Sequence, residues 1–243
     1  GRILVISDAA HSFGAIMDGK RSGALTDVTS FSFHAVKNLT TAEGGALCFN
    51  LPEGFDHDAI YKEFCTLILH GQNKDALAKT QKGNWRYDVE EPGFKCNMTD
   101  LQAAIGLIEL ERYQENLDRR KSIFTQYDEA FGKEDWAILP VHTTERKTSC
   151  YHLYQLRIKG ATEPQRDAIM QAIFDQDVSV NVHFLPLPTL TAYKKRGYLI
   201  QDYPETWAKY QNEISLPVYF DLSDEQVRTV ISAVTSAVHK VLG

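Results

Sequence analysis

Cysteine is scarce. Only Cys48, Cys65, Cys96 and Cys150 occur, and no two form a CxxC pair. A chain of 243 residues is long enough to hold its fold without disulfide staples. The thiols are therefore expected to be reduced and mostly buried, in a cytoplasmic protein. No apolar run approaches the roughly 20 residues that cross a bilayer, so no membrane partner is expected. No basic stretch leads into an apolar one at the N-terminus, which argues against a signal peptide. Basic residues form no block or stripe and the formal net charge is −6, so no nucleic-acid footprint is read. The eight histidines show no HxxxH or HExxH spacing, so no metal is expected. Internal repeats and low-complexity segments are absent. A hydrophobic share of 43% with 24% charged residues is that of an ordinary globular chain, enough for one large domain or two small ones.

Ile3-Leu4-Val5-Ile6 is a continuous, mostly β-branched run, the pattern of a parallel strand buried on both faces. Such a strand needs neighbours, and the few residues before it supply none. Further strands are predicted over 29–33 and 46–49, and a helix over 58–69, ended by Gly71. The stretch 72–97 reads as a long ordered loop, usually functional in a compact domain. Its aromatics Trp85, Tyr87 and Phe94 could contact substrate, contact a partner, or simply pack the loop down.

Thr99-Asp100-Leu101-Gln102 is a capping box, and Leu101, Ala104, Ile105 and Ile108 then share one helical face. Helix is predicted to continue to about residue 131. Beyond it the chain alternates strands (151–158 and 178–184) with two more capped helices. Those start at Thr162-Glu163-Pro164-Gln165 and Ser223-Asp224-Glu225-Gln226. The last carries Val227, Val230, Ile231, Val234 and Val238 on one face. The texture changes near residue 118, which separates 1–117 from an α+β module over 118–243.

Asp8 stands at the carboxyl end of the first predicted strand, and Lys37 lies just past the end of the second. In α/β sheets ligands bind at that edge. A lysine and a carboxylate facing one site fit the demands of pyridoxal phosphate. Its aldehyde is held as an imine by a lysine amine. Its ring nitrogen must stay protonated, and a nearby aspartate favours that charged form. Taken singly, such an Asp is usually a cap or turn residue and such a Lys a solvated one. The combination carries the signal. His34 reads equally as a packing or a catalytic residue, His152 as a sheet or a functional one. Arg119-Arg120-Lys121 reads as a solvated helix face.

Asp8-Ala9-Ala10-His11, then Ser32 to Thr41 around Lys37, then Glu43-Gly44-Gly45, stand in a characteristic order. His70-Gly71, the run from Pro92 to Gly106, Val182-His183-Phe184 and Ser215-Leu216-Pro217 extend it. The whole resembles the DegT/DnrJ/EryC1/StrS aminotransferase family, which makes amino sugars on nucleotide carriers. The resemblance implies an α/β fold, with the later part of an aspartate-aminotransferase-type (fold type I) large domain over 1–117. A small C-terminal domain then follows over 118–243.

It implies pyridoxal 5'-phosphate as cofactor, bound by Lys37 as an imine, with Asp8 pairing to the pyridine nitrogen. His11 lies beside the ring, where many relatives have Gln. Ser32 donates to the cofactor phosphate. Asn97 reaches the phosphate of a neighbouring subunit's cofactor, so a homodimer with shared sites is expected. His183 stands near the substrate sugar. The implied partners are a nucleotide sugar and an amino-acid donor, glutamate foremost. Relatives with His at the lysine position dehydrate instead, and this chain keeps Lys37.

Family members also carry a long segment before the Asp8 strand, with a Gly-Ser/Thr turn gripping the phosphate. No such element precedes Asp8 here, so the chain is expected to be a fragment. The rival reading is a non-catalytic remnant or interaction module. A third is epimerisation or desulfuration on the same scaffold. Desulfuration would need a cysteine on a mobile loop, and Cys96, the best candidate, sits inside a motif the family explains without it.

Overall fold

A computed structural model describes residues 2–73 and 86–243. The chain divides into two compact units, Gly1–Tyr113 and Gln114–Gly243. Trp85 and residues 74–84 of the predicted loop lie outside the described residues.

The first unit is built on a three-stranded sheet in the order β1 (Ile6–Asp8), β2 (Val28–Ser32), β3 (Gly45–Phe49). β1 runs parallel to β2, with Asp8 opposite Ser30. β3 is antiparallel to β2, with Ser32 opposite Gly45. Alternation sends Thr29 and Phe31 into the interior and leaves Val28, Ser30 and Ser32 half-buried on the other face. Phe13 meets the rings of Phe31, Phe33 and Tyr113 edge-on, at centroid distances of 5.2, 5.6 and 5.2 Å. The Tyr113 hydroxyl donates to the Phe13 carbonyl.

One expectation fails here. Ile3 to Ile6 is not a strand buried on both faces: β1 starts at Ile6, and Ile3 is 89% exposed. Among the described residues β1 pairs on one side only, with β2. A buried strand needs cover on both edges and both faces. Cysteine burial differs as well. Cys150 is buried, Cys48 half-buried, and Cys65 and Cys96 are exposed.

Helix α1 (His57–Leu67) is capped by Asp56, whose carboxylate accepts the Ala59 N–H at 3.0 Å. The chain then crosses itself. Gly71 and Gly93 sit where two backbones touch. A Cβ on Gly71 would lie 1.7 Å from the Glu91 carbonyl oxygen, and one on Gly93 2.5 Å from that of Leu67. Gly71 also has φ +73°, which glycine adopts without penalty. The crossing is closed by His70 N–H to Phe94 O (2.8 Å) and Glu90 N–H to Gly71 O (2.8 Å). These contacts account for glycine in both motifs.

The predicted single helix 100–131 is two, α2 (Asp100–Glu111) and α3 (Tyr113–Phe131). They are broken at Arg112, whose φ/ψ of −90°/5° leaves the helical region. Burial of the Tyr113 ring against Phe13 and Gly14 accompanies the break. The predicted apolar face of α2 is exposed: Leu101 is 80% accessible, with Ile105 and Ile108 also open.

The second unit sets α3, α4 (Glu163–Phe174) and α5 (Asp224–Leu242) around one core with an antiparallel sheet. Its order is β4 (Ala137–Ile138), β5 (Tyr154–Ile158), β6 (Glu213–Leu216). Ile123, Phe124, Tyr127 and Phe131 of α3 meet Ile169 and Ile173 of α4 and the valine face of α5 in that core. All three predicted capping boxes form.

Two strand predictions are corrected. The segment 151–158 becomes a strand only at Tyr154, because the Tyr151 and His152 carbonyls accept from the Arg120 guanidinium at 3.2 and 3.3 Å. Arg120 is therefore buried rather than solvated. Among the described residues the segment 178–184 forms one bridge, Asn181 to Ser215. Side chains take its N–H groups instead: Val182 donates to its neighbour Asn181 Oδ1 at 2.8 Å, and His183 to Glu213 Oε2 at 3.1 Å.

Candidate active site

Because β1 and β2 are parallel, their carboxyl ends lie at one edge of the sheet. Asp8 ends β1 and Ser32 ends β2. Paired residues of a parallel ladder share a face, so Asp8, Ser30 and Ser32 all project to the side opposite Phe31. Ser30 was not singled out by sequence reasoning, since only the register reveals it as Asp8's neighbour. Asp8 Oδ1 accepts the Ala10 N–H at 3.1 Å, opening a turn that carries half-buried His11. Among the described residues the Asp8 carboxylate makes no ion pair.

Lys37 lies in the connection between β2 and β3. Phe33 N–H to Gly44 O (2.8 Å) and Thr41 N–H to Phe33 O (2.9 Å) close that loop at its neck. Inside it, Lys37 N–H bonds the His34 carbonyl at 2.9 Å, making a tight turn. Asn38, Leu39 and Thr41 are buried and anchor the turn beneath Lys37. Lys37 itself is half-buried. Its amine makes no hydrogen bond or ion pair with the described residues. His34 lies 3.6 Å from Glu43 and is exposed.

The turn before α2 docks on the same loop. Gln102 of the capping box donates from Nε2 to the Glu43 carbonyl at 2.9 Å. An added Cβ on Gly44 would stand 2.2 Å from Thr41 Oγ1 and 3.0 Å from the Met98 methyl, so glycine permits this approach. Asn97, half-buried, sits just ahead of the Thr99 cap. It accepts from the Lys95 amine and donates to the Met98 carbonyl at 3.3 Å. Asp8 and Ser32 thus end neighbouring strands at one sheet edge, His11 follows in the turn after Asp8, and Lys37 lies on the loop that leaves Ser32, with the Asn97 segment bound to that loop.

His183 belongs to the second unit. It lines a cavity of about 560 Å³ together with Gln155, Arg157, Phe184 and Glu213. Its ring meets Phe184 edge-on at 4.6 Å. Glu213, on β6, is buried, and burial raises its carboxyl pKa. Hydrogen bonds from Ser215 and the His183 N–H, and the nearby Arg166 cation, oppose that rise. Neither Glu213 nor Gln155 was anticipated. The available signal was a lone acid alternating into Ile214 and Leu216. Among the described residues no cluster of three or more His, Cys, Asp or Glu side chains could hold a metal, and no helix is long and apolar enough to cross a membrane.

A model of the DegT/DnrJ/EryC1/StrS aminotransferase family matches residues 2–235. The spore coat polysaccharide biosynthesis protein SpsC of Bacillus subtilis is 36% identical over 241 residues, 97% of this chain and 60% of that protein. The UDP-4-amino-4,6-dideoxy-N-acetyl-β-L-altrosamine transaminase of Campylobacter jejuni is 28% identical over 240 residues, 98% of this chain and 60% of its own. Among solved structures, the sugar aminotransferase Spr1654 of Streptococcus pneumoniae in its PMP-form, described as putative, superposes with a TM-score of 0.93 at 46% identity. The match covers 99% of this chain and 60% of that one. The chain therefore spans about 60% of the length of these relatives.

Proposed function

The chain belongs to the DegT/DnrJ/EryC1/StrS aminotransferase family, and on that premise we propose that it carries the lysine-bearing part of a sugar aminotransferase. The reaction moves an amino group from an amino acid, glutamate foremost, to a keto group on a nucleotide-linked sugar. Its place is amino-sugar and surface-polysaccharide biosynthesis. The printed functions of the Bacillus and Campylobacter relatives support this class of substrate. In domain terms, Gly1–Tyr113 is the later part of the large domain and Gln114–Gly243 the small one.

Family members depend on pyridoxal phosphate, and the residues here fit that group. Among the described residues, one sheet edge offers a carboxylate without an ion pair and a serine hydroxyl, and the loop leaving that edge carries an amine without a counter-ion. That juxtaposition of Lys37 with Asp8 and Ser32 carries the proposal. When bound, the cofactor supplies an electron sink that stabilises negative charge at the donor's Cα. Lys37 would hold it through its amine and, once displaced by the donor's amino group, would be free to take up and return the donor's Cα proton. The Asp8 carboxylate favours the protonated pyridine nitrogen. His11 would stand beside the ring and Ser32 would donate to the phosphate. Asn97 reaches the phosphate in a second subunit, which makes the working enzyme a homodimer. His183 faces the sugar.

The test is borohydride reduction after incubation with pyridoxal phosphate, read by peptide mass mapping. The tag is expected on Lys37 and on no other lysine, and absent from Lys37→Ala. Labelling elsewhere, or turnover retained by Lys37→Ala, overturns the mechanism. A titration showing no cofactor uptake would favour the rival reading of a non-catalytic interaction module.

A further inference from the structure

His183 sits in a segment that has nearly escaped regular structure, yet its main chain is held on both sides. Its N–H donates to Glu213 Oε2 at 3.1 Å, and its carbonyl accepts from Gln155 Nε2 at 2.8 Å. Both partners come from the sheet, on neighbouring strands: Gln155 on β5 and Glu213 on β6. Two residues earlier, the backbone is also tied. Asn181 and Ser215 exchange N–H to carbonyl bonds of 3.1 and 2.7 Å.

Glu213 is an expensive residue to place there. It is 5% exposed, and a buried carboxylate without compensation is strongly disfavoured. The compensation is specific. Ser215 Oγ donates to Oε1, leaving Oε2 for the His183 N–H. The strand backbone beneath it is secured by buried Arg166, which donates to the Glu213 and Tyr210 carbonyls at 3.1 and 3.0 Å. Arg157 stands opposite Glu213 in the register but forms no ion pair with it among the described residues. The carboxylate is thus directed at a main-chain N–H rather than at a cation. An apolar residue at 213 would suit a strand with Ile214 and Leu216 equally well. It would leave the His183 N–H without an acceptor.

We propose that Glu213 and Gln155 are positioning residues, which clamp the main chain at His183 and so set where its imidazole stands in the wall of the cavity. The proposal rests on the reading of His183 as a substrate-facing residue. The clamp itself is visible without any substrate.

The experiment is amide hydrogen exchange by NMR on the whole chain, comparing wild type with Glu213→Ala and Glu213→Gln. In Glu213→Ala the His183 amide is expected to exchange about tenfold faster or more, the loss of one hydrogen bond to a charged acceptor. The Leu156 and Ile214 amides stay within about twofold, because the β5–β6 ladder does not depend on this carboxylate. Glu213→Gln restores protection, since its amide oxygen accepts from His183 while its NH2 donates to Ser215. An unchanged His183 rate, or equal acceleration through β5 and β6, overturns the proposal. If Glu213→Ala does not fold, Gln155→Ala replaces it. The His183 carbonyl carbon resonance must then move, and a fixed resonance overturns the proposal.

Steady-state kinetics of the aminotransferase separate this from the functional reading. Glu213→Ala should raise KM for the nucleotide sugar about tenfold with kcat within about twofold, and Glu213→Gln should rescue it. Faster exchange with unchanged KM leaves the clamp standing and removes His183 from the substrate site.

Discussion

Replacing Gly45 by alanine probes how the Lys37 loop is held. Gly45 opens β3 opposite Ser32, at the neck from which the lysine loop springs. A Cβ there would lie 2.6 Å from the Phe31 carbonyl oxygen. Real carbon–oxygen contacts are longer by about 0.6 Å or more, and both atoms belong to backbones already hydrogen-bonded in a ladder. No side-chain rotation relieves the overlap, so β3 must move away from β2. Such overpacking costs about 1–3 kcal/mol. For a chain of this size that corresponds to a Tm drop of about 2–12 °C.

The displacement acts on Ser32 and on the Phe33–Gly44 bond that closes the loop, so Lys37 labelling by cofactor and borohydride should fall as well. Gly23→Ala is the control. The nearest atoms to its Cβ belong to the Phe31 ring and the Cys48 sulfur, at 3.3 and 3.5 Å, which side chains can accommodate. Differential scanning calorimetry of the three proteins decides the matter. A Gly45→Ala chain that melts with wild type, or a Gly23→Ala chain that melts below it, refutes the steric reasoning.

Two further predictions follow from local electrostatics and burial. The Cys150 thiol is buried and its pKa is pushed up to about 11, chiefly by desolvation, whereas Cys65 and Cys96 are exposed. Thiol titration of the native chain near pH 8 should modify Cys65 and Cys96 quickly and Cys150 only after denaturant is added. Mass mapping that finds Cys150 modified in the native chain contradicts this burial. Asp27 is held down to about 2 by its hydrogen bonds from Arg2 and the Val5 N–H. A depressed carboxylate stabilises the fold above its unfolded pKa near 4, and that contribution is lost as pH falls from there to about 2. Arg2→Ala should bring the Asp27 titration, followed by carboxyl-carbon NMR, back toward the ordinary range. A midpoint that does not move shows the Arg2 bond to be unimportant.

Lys37 shows how a loop residue acquires a defined place. Its neighbours Asn38, Leu39 and Thr41 are buried, and Gln102 ties the loop to the start of α2 from 59 residues away. Among the described residues the amine has no partner, although the loop that carries it is tied at its neck and to α2.

Short-range signals were legible in the residues alone. The three capping boxes formed because each reciprocal bond spans three positions and needs no tertiary context. The valine face of α5 was equally plain, being set by the helical period. The order of Asp8, Ser32 and Lys37 was part of the motif set that pointed to the family whose model matches the chain.

What tertiary structure decided was where polar backbone groups found partners across large separations. Arg120 claimed the Tyr151 and His152 carbonyls and delayed β5. Glu213 claimed the His183 N–H and dissolved a predicted strand. The Tyr113 ring settled under Phe13 where the long helix breaks in two. Each involves residues about 30 to 100 positions apart. Periodicity cannot register such pairs, because a hydrogen bond between distant residues exists only once burial of the apolar faces has brought their strands and helices together.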